Sequence, residues 1–291
     1  MKINSELVSE APRNSATVVM LRDAPQGLEV FLVKRHAASA VLGGAYVFPG
    51  GKLDVADTHL DDHAHMDATA HAMHAALHEP QTPVDIAKGL FVAALREAFE
   101  ESGVLFGTST QGDHHALAAQ RLQEGQSFND MLAALAIRLQ TQSVVPWSRW
   151  ITPLMPSVTN KRFDTRFFVA RVPEHQVAQH DNVETTQSVW ITPAEALRQY
   201  WNYEIEMAPP QIMTLAHLSR FPSAEDALAA ARVVAPPVIL PHAFDLDGTR
   251  VICYPGDPQH SVATRAMPGP TRLMFRNKRF EPAGGLQDWL T

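Results

Sequence analysis

Three glutamates, Glu97, Glu100 and Glu101, fall inside one short stretch, REAFEESGV (96–104). An α-helix turns 100° per residue and places all three within an arc of roughly 100°, with Phe91, Val92, Leu95, Ala98 and Phe99 on the opposite arc. Carboxylates spaced i, i+3 and i, i+4 repel by about 0.2–0.5 kcal/mol per pair. These also lie at the C-terminal end of the helix, where the macrodipole disfavours anions. Stability alone does not favour the arrangement, so a positive partner must compensate. A hard divalent cation, Mg2+ or Mn2+, takes carboxylate oxygens and completes its shell with water and substrate phosphate. Arg96, adjacent in sequence, can orient one carboxylate. A solvated acidic face built from the same residues is the competing reading.

A second stretch, AYVFPGGKLD (45–54), runs from strand-like apolar residues into Pro49, Gly50 and Gly51. Two adjacent residues without Cβ atoms imply that the backbone bends tightly or that something approaches it closely. It is not a Walker A loop, because Lys52 is followed by Leu53 and Tyr46 stands where the first glycine belongs. Taken together, GKLDVAD (51–57) and REAFEESGV (96–104) resemble the two halves of the Nudix box, a loop-helix-loop that ends in Arg-Glu-x-x-Glu-Glu-x-Gly. Two departures stand out. Asp57 occupies a position where the family usually has Glu, and residues 58–95 intervene where the usual spacer is short. One branch, the type 19 CoA diphosphatases, carries such an insertion. VFPGG (47–51), RFDTRFF (162–168), WITPAEA (190–196), APPQ (208–211) and DGT (247–249) also resemble that branch, over most of residues 15–257. Ala40 stands where some relatives have Arg.

The resemblance implies a Nudix-type α/β/α sandwich with a mixed sheet, plus a C-terminal helical and β-hairpin extension. It implies metal-dependent hydrolysis of a diphosphate linkage, with CoA or acyl-CoA cleaved to 3′,5′-ADP and (acyl-)4′-phosphopantetheine as the leading substrate. Another nucleotide such as NADH or ADP-ribose is the alternative, and a catalytically weak nucleotide sensor is the reading from a different class. Glu97, Glu100, Glu101 and the Gly51 backbone would hold Mg2+ or Mn2+, with Glu184, six residues before Trp190, as a further carboxylate. Arg96, Glu97 and Glu100 are the candidate catalytic residues. Arg35, Arg162 and Arg166 are the candidate cations for substrate phosphate, and strand alternation puts Arg162, Asp164 and Arg166 on one face. A structural ion pair around Asp164 is the competing reading.

The elements that must position these residues can be read from periodicity. SATVVMLRD (15–23) and LEVFLVKR (28–35) are apolar, β-branched runs split by Pro25, Gln26 and Gly27, a hairpin signature. From Val84 to Glu101 no proline interrupts a helical spacing, and Gly103 is a suitable stop. Residues 113–140 read as helical, 162–172 and 187–192 as strands, and PAEALRQY as a helix with proline in its first turn. PPQIMTLAHLSRF and SAEDALAAARVV read as helices. PVILPHAFDLDGTRVICYP reads as a hairpin, so the DLDGT run is taken as a turn and not as the phosphatase motif it imitates. Residues 58–83, with His59, His63, His65, His71, His74 and His78, read as an inserted, partly helical, exposed and mobile excursion; without cysteines or a fixed spacing no zinc site is expected. The chain divides into a Nudix domain, 1–200, and an extension, 201–291, packed on it.

With 291 residues and 45% hydrophobic content the chain can bury a large core. A net charge of -7 argues against nucleic acid and anionic membrane as partners. The partner expected is therefore a small nucleotide diphosphate or CoA, with a homodimer possible. A lone cysteine, Cys253, and a polar opening stretch with no apolar run behind it lead to a cytoplasmic expectation.

Overall fold

The computed structural model describes residues 4, 6–39, 41–110, 112, 114–158 and 160–291; Ala40 and Asp113 lie outside the described residues. The first half of the chain forms β1 (Arg13–Ala24), β2 (Gly27–Arg35), β3 (Tyr46–Val47), β4 (Gly50–Lys52), α1 (Val55–His59), α2 (Asp62–His65), α3 (Ala70–Leu77) and α4 (Val84–Ser102). Next come β5 (Gly107–Ser109), α5 (His115–Gln123), α6 (Phe128–Ala134), β6 (Ile137–Leu139), β7 (Val144–Ile151), β8 (Phe163–Arg171), β9 (Thr185–Ile191) and α7 (Pro193–Trp201). The remainder forms α8 (Pro209–Leu218), α9 (Ala224–Val233), β10 (Val238–Ile239), β11 (His242–Leu246), β12 (Thr249–Cys253), β13 (Arg272–Arg276), β14 (Arg279–Glu281) and α10 (Gln287–Leu290).

Among the described residues one mixed sheet runs in the order β10-β7-β8-β1-β2-β3, with β4 added on β1 and β9 on β2. One edge of β1 lies parallel to β8 along its length, from Arg13 opposite Phe163 to Leu21 opposite Arg171. The other edge is shared, with Leu21–Ala24 pairing β2 and Ser15–Thr17 pairing β4. That sharing leaves room at the N-terminal end of β1 for the Gly50–Gly51 turn. Both faces are covered, so Val18 to Leu21 of β1 reads as an unbroken apolar run in which neighbours serve opposite cores. Ala16, Val18 and Met20 pack with the interior of α4, whereas Val19 and Leu21 pack with α7, α8 and α9. The result is the expected α/β/α sandwich.

Helix α4 follows its sequence signature closely. Gly103 ends it in the left-handed conformation, φ 71°, and donates its N–H to Phe99 O at 2.8 Å. The 113–140 stretch is only partly helical, because Gly125 breaks it at φ 86° and its end pairs as β6 with β5. The His-rich insertion corrects its sequence reading more strongly. It is partly helical, and His59, His63, His71 and His78 are exposed, but it is also docked: Leu60, Met66, Met73 and Leu77 are buried in the α4 core. Four apolar side chains spaced among the histidines give it a docking face that its polar composition conceals. Its exit is pinned by Glu79, which pairs with Arg149 at 3.0 Å and Arg166 at 2.6 Å.

Residues after 200 continue the packing. β10 joins the sheet edge parallel to β7, and β11–β14 form a second, antiparallel sheet. The β11–β12 hairpin turns at Asp247 and Gly248, φ 49° and 75°, the doubly positive pair that a two-residue turn needs. Trp289 is fully buried and meets Tyr200 and Trp201 edge-on. No helix among the described residues is long and apolar enough to cross a membrane.

Candidate active site

The two halves of the split box meet in space although 38 residues, 58 to 95, separate Asp57 from Arg96. Asp57 is 1% exposed and receives the Arg96 guanidinium on both oxygens, at 2.9 and 3.0 Å. The same carboxylate accepts the Asp54 N–H at 2.8 Å, closing the first turn of α1 as a capping box does. Arg96 also donates to Lys52 O at 3.1 Å, Glu97 Oε1 at 2.9 Å and Glu100 Oε2 at 2.8 Å. One buried fork therefore ties the loop, α1 and two of the three glutamates into one unit. Arg96 lines the cavity while holding Asp57, Glu97 and Glu100 in place.

The Gly-Gly pair fits that unit with no room to spare. A Cβ on Gly50 would stand 2.5 Å from the Thr17 hydroxyl and 2.6 Å from Ala16 O, and one on Gly51 would stand 2.2 Å from Glu97 Oε1. The group so close to the backbone is thus the glutamate itself. Gly50 N–H donates to Glu101 Oε2 at 3.0 Å, while Glu101 Oε1 is buried without a hydrogen-bond donor and has only Arg35, 4.0 Å away. Burial raises Glu101 to about 8, helped by Glu97 and opposed by the Gly50 N–H. Burial likewise raises Glu97 to about 7 against the pull of Arg96, and raises Glu100.

Glu184 faces the same space, lining the cavity and adding its negative charge to Glu97 and Glu101. Its loop is shaped by Asp181, which accepts N–H groups from Val183, Glu184 and Thr185 and the Thr185 hydroxyl. Burial works against the Asp181 anion, but these donors outweigh it and its pKa is lowered. Among the described residues no three such side chains already stand as a finished metal shell; Arg96 occupies one oxygen of Glu97 and one of Glu100. The donor set nonetheless fits a hard dication: all oxygen, short of positive partners, with one buried oxygen on Glu101 lacking any donor.

The cavity in front of these carboxylates measures about 710 Å³ and is lined by Arg35, Gly51, Lys52, Arg96, Glu97, Glu100, Lys161 and Glu184, among others. Two sequence candidates fall elsewhere. Arg162 donates to Thr152 O and Glu10 O, and Arg166 is held by Glu79, Asn14 and Asp164 on the α4 side of the sheet. Neither lines the cavity, and both are held by other partners. The alternation is as read from sequence, but the wall is formed by the other parity, Phe163 and Thr165, with Lys161 just before the strand. Nothing in the strand sequence reveals which face meets the site. The roles of Asp57 and Asp181 were likewise missed: the first shows only as a departure from the usual Glu, the second as a loop Asp with N–H donors two to four residues on.

Comparison with known proteins agrees with this geometry. The NUDT19 Nudix domain matches residues 7–218. An acyl-coenzyme A diphosphatase NUDT19 from Xenopus laevis is 27% identical over 234 residues, 66% of this chain and 60% of that protein. Its human counterpart is 29% identical over 239 residues, 69% and 63% of the two chains. The chain therefore spans less than two thirds of the length of these relatives. A crystal structure of a NUDIX hydrolase from Alicyclobacillus acidocaldarius shares 26% identity, covers 76% of this chain and 97% of that one, and superposes with a TM-score of 0.61. Split box, sandwich and domain match lead to one conclusion: the chain belongs to the Nudix family, in the group defined by the NUDT19 Nudix domain.

Proposed function

We propose that this chain is a divalent-metal-dependent diphosphatase that cleaves CoA or acyl-CoA to 3′,5′-ADP and (acyl-)4′-phosphopantetheine. The observation that carries the reading is the convergence of Glu97, Glu100 and Glu101 on the Gly50–Gly51 turn, with Glu184 facing them across a large cavity. Glu97, Glu101 and Glu184 would hold the cation with the Gly51 backbone, Glu100 standing beside them, and it would supply charge neutralisation of the diphosphate and a more acidic bound water. Mg2+ and Mn2+ both suit an all-oxygen set. Arg35, Lys52 and Lys161 line the cavity and bring positive charge to the substrate phosphates. Arg96 fixes the glutamates so that little reorganisation is needed during reaction. Glu100 is the most exposed of the trio, its side chain 39% accessible, and only its Oε2 is taken by Arg96. In this reading its other oxygen takes the proton of the attacking water as the oxygen adds to phosphorus and the bridging P–O bond breaks.

The CoA assignment is supported by the likeness to the Xenopus and human proteins, which are named acyl-coenzyme A diphosphatases. Its test is a panel of CoA, acyl-CoAs, NADH, ADP-ribose and dinucleotide polyphosphates with Mg2+ or Mn2+, the products being identified by mass. Release of 3′,5′-ADP from CoA species supports the reading. Cleavage confined to NADH or ADP-ribose moves the substrate, and no phosphorylated product from any of them refutes the enzyme.

A further inference from the structure

A second cavity, about 170 Å³, opens from the first, and Thr17, Leu42, Phe163 and Gln211 line both. Its character is the reverse of its neighbour's. None of its lining residues carries a charge, and five of them are prolines, Pro153, Pro156, Pro209, Pro210 and Pro241. The proline pair opens α8, where a helix would ordinarily present N–H donors to an anion. Two of those donors are absent, so the end of α8 offers an apolar wall where it would otherwise attract phosphate. Trp150 stiffens the opposite side, packed against Phe167 and Tyr254 at centroid distances of 6.4 and 5.7 Å. Pro241 and Ile252 close the chamber from beyond residue 218, where the family domain ends.

A preformed apolar chamber that opens from a diphosphate site calls for a substrate with an apolar group carried at the end of the arm that leaves its diphosphate, as the thioester end of an acyl-CoA is. We infer that the chamber is the subsite for the acyl group of the substrate, and that the extension, through Pro241 and Ile252, sets chain-length selectivity. The inference rests on the CoA reading above and deepens it. An uncharged wall excludes the 3′-phosphate of the nucleotide half, which would be left there without a counter-charge. Apolar cavities of about 150 Å³ admit a benzene-sized guest, so the chamber takes roughly six carbons.

The test is kcat/KM along a series from unacylated CoA through acetyl- to palmitoyl-CoA. Wild type should gain about four-fold per methylene until the chamber is full, then level off. Val158→Trp, which fills the chamber outside the catalytic cavity, should lower kcat/KM for octanoyl-CoA at least ten-fold and leave CoA within two-fold. Ile252→Ala should move the plateau to longer chains. Equal loss for CoA and octanoyl-CoA, no dependence on chain length in wild type, or a matching loss with ADP-ribose would overturn the inference. If wild type cleaves no CoA species, the functional reading fails by itself, and calorimetric titration with S-octanoyl-pantetheine still decides the chamber. Saturable binding that Val158→Trp abolishes supports it, and no binding to wild type refutes it.

Discussion

At the scale of single residues the site is a set of carboxylates kept short of positive charge, and its behaviour follows from that. Glu100→Gln keeps size and removes the proposed proton acceptor, so kcat/KM should fall by about 10²–10⁴ with the melting temperature nearly unchanged. A drop smaller than ten-fold would remove Glu100 from the chemistry. Gly51→Ala drives a methyl group into the Glu97 carboxylate, so both turnover and apparent metal affinity should drop, read by metal titration of activity. The pH dependence has a definite sign. Glu97 and Glu101 sit near 7 and 8 when folded against an ordinary value of 4.5, so the folded chain retains protons that the unfolded chain has released. Without a divalent cation, stability from these two groups therefore decreases as pH rises through that interval. His217 works in the opposite direction at lower pH, because burial holds it near 4 against 6.5, which leaves pH 6.5–8 as the clean window. Melting temperature in chelator should fall across that window, and excess Mg2+ should flatten the slope. Glu97→Gln combined with Glu101→Gln should flatten it without metal.

At the scale of elements, the candidate site is a joint between β4, α1 and the last turns of α4, and Arg96 with Asp57 is the pin. Removing one partner of a buried pair strands the other, which typically costs about 3–5 kcal/mol. Asp57→Ala should destabilise by that order in urea unfolding and disable Glu97 and Glu100 together. Asp181→Ala, by contrast, should loosen the Glu184 loop and lower activity while shifting stability little. This is also the scale at which sequence reading succeeded most and least. Helix α4 was legible because its glutamates, its apolar arc and Gly103 agree on one period. The β1–β2 and β11–β12 hairpins were legible because their turn residues dictate their geometry. The insertion was misread because four buried apolar residues, Leu60, Met66, Met73 and Leu77, are sparse against a polar background. Arg162 and Arg166 were assigned to substrate because parity shows which residues share a face but not what that face meets.

At the scale of the whole molecule, the sandwich with a mixed sheet and C-terminal extension was recoverable from motif resemblance, whereas the sharing of β1 between β2 and β4 depends on tertiary geometry that no local pattern encodes. The extension completes the structure: β10 extends the sheet, and Phe280 and Trp289 are fully buried in the second core. A chain stopped after residue 236 should therefore fail to fold, seen as insoluble expression or loss of a cooperative melt. The parallel pairing of β1 with β8 carries a consequence for biosynthesis. Arg13 must find Phe163, and at about 5–20 residues per second that strand leaves the ribosome on the order of 10–30 s later. Through that interval a strand with seven consecutive residues destined for burial, Ser15 to Leu21, has one side unpaired, so chaperone capture of translation intermediates should set the yield of this protein in cells.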